Sequence, residues 1–207
     1  HTRWSKRRKI LEENGWMSGA DSFDSAVVRI RSACYIVIAS LSGCRNHELA
    51  FLHANACYRT IDNDGETYWW MRSVSTKTGE GRTEWMIPLA ASEALKIMDR
   101  WAIPYQAALS AEIERRRQKN PNDLEIAEAQ RHLGAIFVCR DSRRGPEGGR
   151  QVRTLTDRSW NVSLREFAKA NGITGSTPLT RTLQISLIMG QEECHATEKK
   201  VQRRVQA

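Results

Sequence analysis

The densest chemistry in the chain lies in Leu41-Ser-Gly-Cys-Arg-Asn-His-Glu-Leu-Ala-Phe-Leu52. An apolar helix stops at Gly43, which lets the backbone bend sharply. Arg45 then opens a second helix, with Glu48 three residues on. A cation at that position opposes the positive end of the helix dipole, so stability alone does not ask for it. The same placement suits an anion, because free N–H groups and a guanidinium converge on one phosphate. Glu48 either holds the guanidinium or complements the dipole, and a purely structural Arg45–Glu48 pair is the plain alternative. A lysine, Lys77, stands in Lys77-Thr-Gly-Glu-Gly81 at the mouth of a tight turn. Alone, a lysine in a turn reads as solvated.

A metal site is a further reading of the same region. Cys44, His47, His53 and Cys57 form C-x2-H-x5-H-x3-C, and these are ligand types that zinc takes. The central gap is much shorter than the roughly 12–15 residues of finger-like sites. Phe51 also stands where a zinc protease places its second histidine. No metal and no cofactor is therefore assigned.

Composition narrows the classes. The chain has 207 residues, with 32 Lys plus Arg against 24 Asp plus Glu, for a net charge of +8. That length suits one sizeable domain with a real core. With 40% apolar and 27% charged residues, wholesale disorder and fibrous repeats are excluded. The longest uncharged apolar stretch, Ala33 to Cys44, is shorter than the ~20 residues a bilayer span needs. The opening carries no signal pattern, and a first residue of His1 suggests a fragment or processed chain. Five cysteines, Cys34, Cys44, Cys57, Cys139 and Cys194, are an odd set that fits reduced thiols and a cytoplasmic location. The basic balance points to nucleic acid first and anionic lipid second.

Several elements must position these residues. Residues 1–20, with Trp4-Ser-Lys-Arg-Arg-Lys9, read as a basic linker, an arm along phosphates, or the remnant of a missing amino-terminal domain. From Asp21 or Ser22, both capping residue types, Val27, Val28, Ile30, Cys34, Ile36, Val37 and Ile38 mark a core helix. Three strands follow: Ala56 to Ile61, Thr67 to Val74, and Thr83 to Leu89, the first two joined at Asp62-Asn-Asp-Gly65. Helices are expected over Ala90–Trp101, Tyr105–Lys119, Leu124–Leu133 and Thr156–Asn171. Ala135 to Cys139 reads as a short buried strand, and the Gly-rich Arg140–Arg153 segment as a mobile loop. Leu179 to Met189 is a last apolar segment. Arg115-Arg-Arg117 is a basic helix end, solvated or touching phosphates. Of the seven tryptophans, most suit core packing rather than a stacking platform, and one of Trp69 and Trp70 should be exposed. The fold class is mainly α with a small three-stranded antiparallel β-sheet.

The order of these features resembles the catalytic domain of the tyrosine recombinase, or phage integrase, family. The resemblance rests on Ser42-Gly-Cys-Arg-Asn-His-Glu-Leu49, the hairpin Lys77, Met86-Ile-Pro-Leu89 running into a helix, and Asn161 to Ile173, and it covers roughly residues 21–175. It implies the fold of the DNA breaking-rejoining enzymes and site-specific strand exchange through a 3′-phosphotyrosine, without metal. Arg45 carries over as a phosphate-clamping arginine. Lys77 carries over as the general acid, and Arg181 as the second arginine. Double-stranded DNA, other recombinase subunits and a nucleoid-associated cytoplasmic location are implied as partners and place, with no membrane.

The second half departs from that pattern. With Arg181 as the second arginine, the histidine of a His-x-x-Arg box falls on Pro178. By the register of Gly190-Gln-Glu-Glu-Cys-His-Ala-Thr-Glu198, the tyrosine falls on Lys200, and the last tyrosine in these residues is Tyr105. The chain is therefore expected to bind DNA without cutting it. The domain boundaries expected are 1–20, a catalytic-like domain at 21–190, and a polar tail at 191–207. A non-enzymatic basic helical DNA-binding or interaction module is the alternative, and a small zinc-stabilised domain the third reading.

Overall fold

The computed structural model describes residues 2–75, 81–144 and 150–173. Lys77, Pro178, Arg181, Cys194, the Leu179–Met189 segment and the polar tail lie outside the described residues. The described elements are α1 (Thr2–Glu13), α2 (Ala20–Ser42), α3 (Asn46–Ala50), β1 (Cys57–Ile61), β2 (Thr67–Ser75), β3 (Gly81–Ile87), α4 (Leu89–Lys119), α5 (Leu124–Gln130), β4 (Val138–Arg144), β5 (Arg150–Thr154) and α6 (Asp157–Ala170). The protein is thus mixed and mainly helical, with the three-stranded antiparallel sheet β1-β2-β3 and a second, two-stranded sheet β4-β5.

Helix α2 is the centre of the core. By length and composition it could cross a membrane, yet here it packs against α4 and α6. Tyr35, Ile38 and Ala39 from α2 meet Leu49, Leu52, Met71, Leu95, Met98, Phe137 and Trp160, all buried. Tyr35 stacks on Trp160 at 3.8 Å between centroids, and Phe137 meets both rings edge-on. A second cluster, Leu109, Ile113, Ile126, Val138 and Val152, joins the far half of α4 to the β4-β5 sheet. In the larger sheet, Tyr58, Trp70 and Met86 share one register row on the outer face. Trp69 packs on the core from the opposite face, and both tryptophans are half-buried.

Four expectations need correction. The opening is a helix rather than a linker: Arg8–Glu12 and Lys9–Glu13 pair at helical spacing, and Arg7 pairs with Asp24 of α2. Gly19 is the N-cap of α2, with Asp21 already in its first turn. Helix α4 runs unbroken through Pro104, although proline inside a helix costs about 3 kcal/mol. Tertiary anchors offset that cost: Trp101 stacks on Tyr105 at 4.4 Å, and the Gln106 amide grips the backbone of His132, Gly134 and Ala135.

The fourth correction concerns Arg140–Arg153, whose described residues, 140–144 and 150–153, lie in two paired antiparallel strands. Val138 pairs with Thr154, Cys139 with Arg153, Arg140 with Val152, and Arg144 with Arg150. Burial of Val138 and Val152 holds these strands together despite the charged residues along them. The basic helix end is internally paired as well. Arg116 is buried and bonds Glu112 at 2.8 Å and Asp123 at 3.2 Å, while Arg115 and Arg117 pair with Glu112 and Glu114.

Candidate functional site

The bend between α2 and α3 is built by one left-handed residue and one buried carboxylate. Gly43 ends α2 at φ 67°, and its N–H donates to the Ala39 carbonyl. A side chain would be strained at that φ. Cys44 is buried beneath the bend, and its N–H donates to the Ser42 hydroxyl. Arg45 follows as the N-cap of α3, in extended conformation. Its carbonyl accepts the N–H groups of Glu48 and Leu49.

Glu48 does not pair with the Arg45 guanidinium. Its carboxylate accepts the Arg45 backbone N–H at 2.8 Å, and the residue is 4% exposed. This is half of a capping box. Arginine cannot supply the other half, because a guanidinium only donates. The consequence is an Arg45 whose backbone is pinned and whose half-buried side chain has no ion-pair partner among the described residues. That arrangement leaves the cation available to an external anion.

The next residue ties the bend to the core. Tyr35 donates its hydroxyl to the Asn46 side-chain oxygen at 2.6 Å, and the Asn46 amide donates to Asp157 in the first turn of α6. Burial, with the nearby Asp157 charge, pushes the Tyr35 hydroxyl up to about 12, so it stays protonated as a donor. His47 places its Nε2 in a buried position with no hydrogen-bond partner among the described residues. The C-x2-H-x5-H-x3-C set is not assembled: among the described residues no group of three or more His, Cys, Asp or Glu side chains is placed to hold a metal. His53 instead packs its ring on Gly134 and bridges to Ala135.

Of the three residues singled out in sequence, only Arg45 is among the described residues. Strands β2 and β3 flank residues 76–80, where Lys77 falls, and β2 packs on α3. Sequence reasoning misses Arg31, which is 5% exposed inside α2. Its guanidinium donates to the Val138 carbonyl at 3.1 Å and to Ser163 at 3.2 Å, and lies between the Trp101 and Trp160 rings. In sequence Arg31 stands two residues after Arg29 and before Ser32, and nothing local marks which of the two arginines is buried. Compared with protein-family models, curated proteins and solved structures, the chain matches none.

Proposed function

We propose that this chain is a DNA-binding domain of the tyrosine-recombinase catalytic type, in which Arg45 clamps a backbone phosphate. The observation that carries this reading is the pinned Arg45 backbone at the α2–α3 bend, with a guanidinium that has no ion-pair partner among the described residues. A structural arginine would spend its charge on Glu48, whereas here that carboxylate is spent on the main chain. Support comes from the order of elements: the bend, then a three-stranded antiparallel sheet with Lys77 in the sequence between its second and third strands, then Ile87-Pro88 leading into a long helix. The net charge of +8 adds a field suited to duplex DNA.

In this reading Arg45, Lys77 and Arg181 surround the phosphate. Arginine forks stabilise its charge, and a lysine ammonium there would serve a departing 5′-oxygen. The four tyrosines are Tyr35, Tyr58, Tyr68 and Tyr105. None follows Arg181, so these 207 residues bind DNA without forming a phosphotyrosyl bond. A DNA-associated, cytoplasmic location and contact with further recombinase subunits on DNA belong to the same proposal.

The test is a gel-shift titration of duplex DNA with the wild type and Arg45→Glu, paired with a suicide substrate that traps covalent intermediates. The expected result is a shift by the wild type, at least a tenfold weaker one for Arg45→Glu with an unchanged circular dichroism melt, and no adduct. Equal binding by the folded variant contradicts the clamp. An adduct that disappears in Tyr105→Phe contradicts the missing nucleophile.

A further inference from the structure

At the opposite end of α2 from Arg45 lies a cavity of about 1030 Å³, open to solvent, between α1, α2, the Pro104 turn of α4, and β4. It is the size of a small-molecule site, since ligand pockets run to about 1,000 Å³. Three arginines line it, Arg7, Arg31 and Arg140, with two acidic residues, Asp21 and Asp24. Arg7 is committed to Asp24. Arg31 and Arg140 have no carboxylate partner among the described residues.

Arg31 is the unusual member. It is 5% exposed, and among the described residues its Nη atoms reach a carbonyl and a hydroxyl while its Nε has no partner. Burial pulls it below the ordinary arginine range. A buried charge without a counter-ion is costly, and the wall that holds it opens on this cavity. Arg140 is exposed and lies over the Tyr105 ring at 5.8 Å. Arg31 lies over Trp101, on which Tyr105 stacks. Burial raises the Tyr105 hydroxyl, and Arg31 and Arg140 both pull it back down, so both charges act on one spot.

We propose that this cavity binds a phosphate-bearing ligand, with Arg31 and Arg140 as its two cationic contacts around Tyr105. A planar carboxylate is satisfied by a single fork, whereas a tetrahedral phosphate offers oxygens to two guanidiniums approaching from different sides. The site is separate from the Arg45 bend. Arg31 and the end of α2 are eleven residues apart, about 16 Å along the helix. The phosphate comes from a free nucleotide or from a nucleic-acid backbone, and a competition arm distinguishes these sources.

The experiment is isothermal titration of the full chain with adenosine 5′-monophosphate and with inorganic pyrophosphate. Arg140→Ala is the principal variant, because Arg140 is exposed and its loss leaves the core intact. Arg31→Lys is the second variant, and Arg59→Ala, at an exposed position of β1, is the control. Saturable binding is expected, at least tenfold weaker in Arg140→Ala and in Arg31→Lys, and unchanged in Arg59→Ala. Displacement of the nucleotide by duplex DNA identifies a nucleic-acid phosphate, and failure to displace identifies a free phosphorylated molecule; either outcome supports the site. No saturable binding of either probe, or equal binding by wild type and Arg140→Ala, overturns the proposal.

Discussion

The Arg45 backbone N–H and the Glu48 carboxylate, 2.8 Å apart, divide the work of the α2–α3 bend. Glu48 holds the chain, so that Arg45 need not. Glu48 is structural and the Arg45 guanidinium has no ion-pair partner among the described residues, although by spacing alone the two look like an ion pair.

Glu48→Ala removes a buried acceptor and orphans the Arg45 N–H. The expected loss is about 1–3 kcal/mol, in the range of a lost cap or an unmet buried donor. Glu48→Gln keeps an acceptor oxygen and should recover most of the stability. Denaturant unfolding of the two variants checks this, and an Ala variant as stable as the wild type removes the capping role.

Trp160 is 2% exposed, stacked on Tyr35 and edge-on to Phe137. Trp160→Ala should cost about 3–5 kcal/mol, as large core truncations do. Val162, 54% exposed on the same helix, is the comparison: Val162→Ala should stay within about 0.5 kcal/mol. Similar losses at both positions would mean that α6 does not dock as described.

His132 is expected to make stability pH-dependent. Burial lowers its pKa from 6.5, against the opposing pull of Glu128. The unfolded chain therefore binds the proton more readily than the folded one. The contribution is fully present above the unfolded value and is lost as pH falls through about 6.5 towards the lower folded value. Melting temperatures from pH 8 to pH 5 should fall more steeply for the wild type than for His132→Gln. Parallel curves contradict the assignment.

Much of the local structure follows from short-range chemistry that sequence displays. Asp62-Asn-Asp-Gly65 makes its turn because the Asp62 side chain accepts the N–H groups of Asp64 and Glu66, and Gly65 takes a positive φ. Thr156 caps α6 by accepting the Ser159 N–H. The errors lie where distant contacts override local preference. Pro104 suggests a break, but Gln106 is held by a segment almost thirty residues away. Arg140–Arg153 has loop composition, but Val152 finds a core that only tertiary packing creates. At the candidate site, Arg45 was legible through Gly43 and Glu48. The partner of Glu48 was not, since spacing cannot separate a guanidinium from a main-chain N–H. Arg31 was illegible because nothing local distinguishes a buried cation from one that reaches water.

The central claim is that Arg45 meets a DNA phosphate, and the most direct measurement is duplex-DNA affinity against salt for the wild type and Arg45→Ala. Each phosphate contact contributes about 0.9 to the slope of log K against log salt. The wild type should bind with a steep linear decline. Arg45→Ala, which breaks no ion pair in the described fold, should melt as the wild type does and show a slope shallower by about one. Identical slopes for the two proteins, or no wild-type binding at low salt, would contradict the claim.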